Sequence, residues 1–170
     1  LATATVLAAY MGGLALGNFI FGKRADSAPH PLRLYAWLEI CIGLFALAFP
    51  FILPAGQGLY VWIHTKLYTS SYPVFNAVRF CIAFLIILVP TVLMGGTLPV
   101  MTRFIVRRLD TCGTTVGILY GFNTLGAVAG SLAAGFWAIV TFGARETSYA
   151  AAALNICIGL VVLALRRKWE

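Results

Sequence analysis

The stretch FCIAFLIILVPTVLMGGTLPVMT, residues 80–102, is long, apolar and free of charged side chains. About 20 apolar residues in an α-helix cross the hydrocarbon core of a bilayer, so this stretch predicts a membrane-spanning helix. It also contains Pro90, Pro99 and the pair Gly95–Gly96, although proline and glycine weaken the interior of a helix. We therefore expect a kinked helix whose Gly95–Gly96 face packs against a neighbouring helix.

Two hydroxyl side chains lie close to these prolines. Membrane helices tolerate proline where neighbouring helices or Ser and Thr side chains satisfy the carbonyls that lose their helical donor. Thr91 and Thr97 are available for that role. Static packing is the simpler interpretation of the kink, and a gate hinge is the alternative.

Four further runs have the length of a membrane span, and only Glu39 interrupts one of them. The runs are continuously apolar and do not alternate with polar residues, so a β-barrel is not expected. We predict an all-α fold, a polytopic bundle of five transmembrane helices that forms one membrane domain over residues 1–170. The four further runs are 1–22, 34–53, 114–142 and 147–165.

The composition agrees with a membrane environment. Hydrophobic residues make up 61% of the chain and charged residues 10%, and the mean hydropathy is +0.94. Soluble domains carry about 25% charged residues, so the charged fraction of this chain is too low for a typical soluble domain. The net charge of +7 lies in short clusters between apolar runs, so nucleic-acid binding is not expected. The predicted partners are the lipid bilayer and other helices of the same full-length protein.

Basic residues are distributed unequally between the two sides of the predicted bundle, nine against three. Because cytoplasmic loops are enriched in Lys and Arg, this pattern predicts an N-terminus outside the cell. The connection 54–78 is then also outside, and its Tyr and Trp side chains predict an interfacial helix, with a substrate lid as the alternative. The cytoplasmic set is Lys23, Arg24, Arg33, Arg103, Arg107, Arg108, Arg166, Arg167 and Lys168, and the outer set is Lys66, Arg79 and Arg145.

The N-terminal sequence has no basic region ahead of its apolar run, so it does not resemble a signal peptide. We expect the chain to be a fragment of a longer membrane protein. An outside N-terminus also predicts at least one further span upstream in a protein whose first residue lies in the cytoplasm.

Small residues recur at four-residue spacing in the first and fourth predicted helices. This spacing stacks small side chains on one face, which lets a neighbouring backbone approach closely. Tight helix packing is the ordinary use of such a face, and a sliding surface in a rocking transporter is the alternative. The residues are Ala9, Gly13 and Gly17 in the first helix, and Ala127, Ser131 and Gly135 in the fourth, with Gly126 and Gly130 beside them.

Glu39 is the only acidic residue expected inside the hydrocarbon region. A charge there costs a few kcal/mol, so Glu39 should face the bundle interior or a water-filled path. The alternative is a carboxylate that reaches the interface or pairs with a basic neighbour such as Arg33. Asn18, Asn123 and Asn155 complete the candidate intramembrane polar site, although such side chains also serve as hydrogen bonds between helices.

The residues that usually carry chemistry are scattered along the chain. No CxxC pair, HExxH spacing or Ser/His/Asp arrangement is present. We therefore predict no catalytic residue, no cofactor and no metal site. The residues concerned are Cys41, Cys81, Cys112 and Cys157, with His30 and His64.

The segment GKRADSAPHPLRLY, residues 22–35, resembles the cytoplasmic loop between helices 2 and 3 of major facilitator transporters. In that family an Asp and basic residues of this loop form a charge relay that braces the inward-closed gate. The resemblance implies a cytoplasmic gate loop here, with Gly22, Asp26 and Arg33 as the matching positions. An ordinary solvated turn is the alternative.

Five stretches together resemble the membrane part of bacterial proteins described as fused major-facilitator/spermidine synthase-like. That family joins a transporter-like helical bundle to a soluble aminopropyltransferase-like domain, which is not present in this chain. The resemblance implies helices 2 to 6 of the membrane part. The stretches are TVLAAYMGGLALGNFIFGKRAD, PLRLYAWLEICIGLFAL, PTVLMGGTLPVMTRF, GILYGFNTLGAVAGSLAAGF and AALNICIGLVVL.

The resemblance implies a multi-pass protein of the bacterial inner membrane that embeds a spermidine synthase-like protein and moves or admits a small cationic molecule. One alternative is a major facilitator-type secondary transporter with no enzyme attached. A second alternative is a structural module for membrane assembly. Reading the coding sequence beyond residue 170 distinguishes the first two.

Overall fold

The computed structural model describes residues 2–67, 72–106 and 112–168. Within these ranges the chain is 97% helical and contains no strand, as predicted. Five helical stretches are long and apolar enough to cross a membrane, which confirms the predicted number of spans. Leu1, Arg107 and Arg108, on which predictions were made, lie outside the described residues. The helices are α1 (Ala2–Ser27), α2 (Pro31–Leu67), α3 (Tyr72–Ile105), α4 (Cys112–Leu132), α5 (Ile139–Phe142) and α6 (Ala144–Leu165).

Helix α2 is much longer than the predicted span 34–53, and this corrects the expectation of a separate interfacial helix. Helix α2 continues through Pro50 and Pro54 and includes residues 54–67. The chain is described again from Tyr72, where α3 begins. At 1.5 Å per residue, α2 is about 55 Å long and α3 about 51 Å. Both exceed the hydrocarbon core of about 30 Å. The two helices contact each other, and the cleft between their extended parts is lined by residues of both.

Helices α1 and α3 run parallel and form the closest pairing in the bundle. The Oγ1 atom of Thr91 lies 3.5 Å from the carbonyl oxygen of Ala9, at one end of the contact. Gly22 lies against Pro99 at the other end. Residue numbers rise in the same direction on both helices, as expected for the first and third spans of a chain that crosses a membrane repeatedly.

Helix α2 runs antiparallel to both α3 and α6. On α3, Leu38 packs near Val100, and Gly56 packs near Ile86. On α6, Gly43 faces Ala152 and Ile156, and Gly159 faces Ala36 and Ile40. The packed helices therefore form a row in the order α1, α3, α2, α6.

This arrangement brings most of the described basic residues to one end of the row, which we call the basic end. It is the end at which α1, α3 and α6 terminate and α2 begins. Arg79 and Arg145 lie near the starts of α3 and α6, at the opposite end. The described residues of the basic end are Lys23, Arg24, Arg33, Arg103, Arg166 and Lys168.

The fourth span, residues Cys112–Phe142, is the least covered part of the described chain. It consists of α4, a π-helical stretch over Ala133–Ala138, and α5. No residue of this span is buried, and Phe136 and Val140 are among its most exposed side chains. Its contacts with the row are few and involve α3 and α6. The span therefore offers its apolar surface to lipid or to further helices.

Gly143 makes the turn between the fourth span and α6. Its backbone has φ 88° and ψ 162°, a conformation essentially limited to glycine. Its carbonyl oxygen accepts a hydrogen bond from the Thr147 hydroxyl at 2.8 Å, which stabilises the first turn of α6.

Replacing Gly143 by alanine is expected to lower the free energy of unfolding by about 1–3 kcal/mol, because alanine is strained at this φ and ψ. Thermal unfolding in a mild detergent measures the loss. Gly117→Ala is the control, since no neighbouring atom lies within 4 Å of an added Cβ there. The control should stabilise slightly, by helix propensity. Equal unfolding temperatures for the two variants would contradict the prediction.

Candidate functional site

An open cleft of about 650 Å³ lies at the basic end, between α1, α3 and the start of α4. We call it the basic-end cleft. Its polar lining offers one carboxylate, one guanidinium, one amide and one hydroxyl, supplied by two parallel helices. The lining residues are Asn18, Gly22 and Asp26 of α1, Leu98, Pro99, Thr102 and Arg103 of α3, and Val106, Cys112 and Val116 beyond them.

Helix geometry explains why these residues meet. Asn18, Gly22 and Asp26 are spaced by four, so they share one face of α1. A Cβ atom added at Gly22 would lie 3.9 Å from the Cβ atom of Pro99, which is an ordinary contact distance. The polar residues on either side of this contact therefore line the space between these two helices and the start of α4. Asp26 and Arg103 can close the cleft by pairing with each other or bind groups of opposite charge.

The structure changes the predicted gate loop. Gly22 and Asp26 are helical, because α1 continues to Ser27, and only residues 28–30 connect it to α2. Lys, Arg and Ala follow Gly22 and favour helix, whereas the prolines around residue 30 end it. Arg33 lies exposed on the first turn of α2 and does not line the cleft. Arg103, which belonged to no predicted site, is the arginine that does.

Glu39 is buried on α2, with 9% of its surface exposed. Tyr35 lies one turn earlier on the same helix, where its hydroxyl can donate to the Glu39 carboxylate. Tyr35 packs with the cluster formed by Ala25, Leu38 and Val100, where α1, α2 and α3 meet. By helical geometry Glu39 lies between the face of α2 that contacts this cluster and the face that contacts α6. A buried carboxyl group with a phenol donor is thus placed inside the row of helices.

The other members of the candidate intramembrane polar site are dispersed. Asn18 lies in the basic-end cleft. Asn123 is exposed on the fourth span, apart from the row of packed helices. Asn155 is half-buried on α6, next to Ile156 of the α2–α6 contact. The four predicted residues therefore belong to separate places on α1, α2, α4 and α6.

The helix α3 continues through both of its prolines. The Thr91 hydroxyl shares its single proton between the carbonyl oxygens of Ile87 at 2.9 Å and Leu88 at 3.0 Å. The Thr97 hydroxyl donates to Met94 at 2.8 Å. The carbonyls four residues before Pro90 and Pro99 belong to other residues, Ile86 and Gly95. Neither threonine therefore bonds the carbonyls that the prolines leave without a donor, contrary to expectation.

The glycines of α1 and α3 lie in one tight contact. Gly13 faces Thr91, Gly17 faces Val92 and Gly95, and Gly96 faces Phe21. A Cβ atom added at Gly96 would lie 2.5 Å from the Phe21 ring, and one at Gly17 would meet the Val92 carbonyl oxygen closer still. Only glycine permits this separation of the two backbones.

The glycines of the fourth span have a different environment. Gly126, Gly130 and Gly135 have no described neighbour within 4 Å of an added Cβ. Ala127 and Ser131 are exposed on the same helix. This second series of small residues therefore packs against nothing in the described chain.

A third small-residue contact was not predicted. Ala36 and Gly43 on α2 face Gly159 and Ala152 on α6, and both alanines are completely buried. Ala36 and Gly43 are seven residues apart on α2, and Ala152 and Gly159 are seven apart on α6. Seven residues are about two turns, so the two residues of each helix share one face. A search for small residues at seven-residue spacing, in addition to four, could have found them.

No family model, curated protein or solved structure matches the chain. Within the described ranges, no group of three or more His, Cys, Asp and Glu side chains is placed to hold a metal ion. Polar groups inside a bundle of helices long and apolar enough to cross a membrane are therefore the candidates for a functional role.

Proposed function

We propose that this chain is the membrane domain of a major facilitator-like protein of the bacterial inner membrane, of the kind joined to spermidine synthase-like domains. In this proposal it moves a small cationic molecule across the membrane. The basic end faces the cytoplasm, and the N-terminus is outside. The proposal is supported by the unequal distribution of Lys and Arg and by the resemblance of five stretches to that family.

The observation that carries the proposal is the burial of Glu39. A carboxyl group inside a membrane helix bundle costs a few kcal/mol, so proteins keep such groups mainly where they bind or conduct something. The Tyr35 hydroxyl can supply one donor, whereas an ionised carboxylate has about four acceptor sites. The described neighbours of Glu39 named above include no cation. A carboxylate in such surroundings favours a positively charged substrate.

The basic-end cleft has a supporting role in the proposal. Asp26 on α1 and Arg103 on α3 line it together. Pairing of these groups would hold the cytoplasmic ends of the parallel helices closed, and separation would open a path between them. This assigns the gate to Asp26 and Arg103 and removes Arg33 from it.

Uptake into proteoliposomes tests the proposed function, with radiolabelled spermidine and putrescine as probes. The wild-type chain should accumulate at least one of them above empty liposomes. Glu39→Gln should reduce the initial rate on the order of tenfold, because a hydrogen bond to a charged group contributes about 1.5–3 kcal/mol. Glu146→Gln is the matched control, since Glu146 is exposed in the first turn of α6.

Two outcomes contradict the proposal. If the wild-type chain shows no uptake, the proposed transport of these cations is wrong. If wild type and Glu39→Gln show equal uptake, the proposed role of Glu39 is wrong. A loss in Glu146→Gln as large as in Glu39→Gln would assign the effect to net charge. Thermal unfolding of each variant separates a folding defect from a transport defect.

A second candidate function is assembly within the membrane, favoured by the uncovered fourth span. Its small residues pack against nothing described, and four-residue spacing of this kind ordinarily mediates helix contacts. This candidate predicts that Gly130→Leu disrupts association with other helices without changing the stability of the isolated chain. The alternative of a transporter with no enzyme attached assigns these residues the same roles as the leading proposal.

A further inference from the structure

A second cleft lies far from the basic end, between the extended parts of α2 and α3. Its volume is about 570 Å³, and its walls are mainly aliphatic and aromatic. We call it the hairpin cleft. Its polar groups are Gln57, Tyr60 and Arg79, and its apolar lining includes Phe49, Ile82 and Ile86.

The polar groups occupy one end of the hairpin cleft. Because α2 and α3 are antiparallel, Tyr60 and Arg79 lie at the same level, and Phe49 and Ile87 lie together at the other end. From Arg79 to Ile87 the cleft extends about 12 Å along α3. Among the described lining residues it therefore has a short polar rim with one cation, Arg79, and a longer apolar trough.

The rim lies at the depth of lipid headgroups. Arg79 and Arg103 are about 36 Å apart along the axis of α3. A hydrocarbon core about 30 Å thick with its interfacial layers on both sides places these two arginines in opposite headgroup regions. Trp62, with 60% of its surface exposed, follows Tyr60 on α2, and such rings favour the same layer. The trough then extends from the headgroups into the hydrocarbon.

The charge of the lining identifies the occupant. The described lining residues contribute the Arg79 guanidinium and no carboxylate. Guanidinium groups bind phosphate through a planar fork of donors, and the Gln57 amide adds a neutral donor beside it. The aliphatic trough provides for an acyl chain. We propose that the hairpin cleft is a binding site for an anionic phospholipid, with the phosphate at Arg79 and an acyl chain along Ile82 and Ile86.

Lipid preference of the purified full chain tests this site. The probe is a phosphatidylglycerol added to protein in neutral detergent, with phosphatidylcholine of the same acyl chains as the reference. Retention of lipid in native mass spectra, and the rise in unfolding temperature, measure binding. The wild type should prefer phosphatidylglycerol, and Arg79→Gln should bind it about fivefold more weakly, the value of one arginine near an anionic surface.

Three variants make the result specific. Arg145→Gln should keep the preference, because Arg145 is a cation near the same end that does not line the cleft. Arg79→Lys should keep part of it, because lysine retains the charge without the fork. Ala83→Phe should fill the trough and reduce retention of both lipids, and unchanged unfolding without lipid shows that this variant is folded.

The proposal is overturned if Arg79→Gln keeps the full preference, or if Arg145→Gln loses as much. It is also overturned if the folded Ala83→Phe variant retains lipid like wild type. Glycerol phosphate is the headgroup-only probe. Binding of glycerol phosphate as tightly as the phospholipid would show a free-anion site rather than a lipid site. None of these outcomes depends on transport, so the inference stands or fails separately from the proposed function.

Discussion

Replacing Gly17 by valine is expected to lower the free energy of unfolding by about 3 kcal/mol, at the upper end for inserting atoms into a well-packed contact. A Cβ atom at this position would meet the Val92 carbonyl oxygen and would lie 3.1 Å from the Cα atom of Gly95. Both are backbone atoms, so rotation of a side chain cannot relieve the overlap. The α1 and α3 helices must therefore move apart along the whole contact between them, which we call the α1–α3 seam.

The measurement is thermal unfolding in a mild detergent, where about 3 kcal/mol corresponds to a fall of roughly 6–12 °C for a chain of this size. Gly12→Val is the matched control, because Gly12 is exposed on the same helix and has no neighbour within 4 Å of an added Cβ. The control should change little. If both variants unfold at the same temperature, α1 and α3 are not packed as the structure has them.

A double variant separates this contact from a general loss of stability. Gly17→Val and Gly95→Val act on the same seam, since Gly95 faces Leu14 and Gly17. Once the helices are separated by one valine, the second adds less, so the two losses should not be additive. Additive losses would indicate two independent sites of disruption.

Replacing Gly159 by valine is expected to release α6 from α2, at a cost of about 2–3 kcal/mol. An added Cβ would lie 2.7 Å from the carbonyl oxygen of Ala36 and 2.6 Å from Cγ1 of Ile40. The isoleucine side chain can turn away, but the carbonyl oxygen belongs to the backbone of α2. Helix α6 has no other extensive packing partner among the described residues. The effect should therefore be local to α6.

Hydrogen exchange measures this local effect. Backbone amides of α6 should lose protection in Gly159→Val, while those of α1 and α3 keep it. Ala153→Val is the control, since Ala153 is exposed on the same helix. Uniform loss of protection across all the helices would contradict the role assigned to this contact.

The sequence predicted elements well wherever the physical cause is local. A long apolar run in lipid must satisfy its backbone groups within the segment, so helices over 80–102 and 147–165 follow from composition alone. Helix ends were predicted less well. Helix α2 continues to Leu67, whereas the aromatic residues of 54–67 suggested a separate interfacial helix, and none corresponds to them.

The small-residue series show where such prediction ends. Four-residue spacing appears equally in α1 and in the fourth span, yet Gly17 lies in a tight contact and Gly130 faces no described atom. Spacing decides which face a residue occupies, but only a partner helix decides whether that face is buried. The contacts of Gly43 with Ala152 and of Gly159 with Ala36 join residues far apart in the chain, and each glycine alone carries no signal.

The sequence by itself determined the helical class, the five apolar stretches and the concentration of basic residues between alternate stretches, because each is a property of neighbouring residues. The tertiary structure was needed to show that α1 pairs with α3 and α2 with α6, that Arg103 rather than Arg33 lines a cleft with Asp26, and that Glu39 is buried one turn from Tyr35. The physical reason is that lipid is as apolar as the helices themselves. Apolar surface therefore does not select a partner in the membrane, and close fit between particular backbones does.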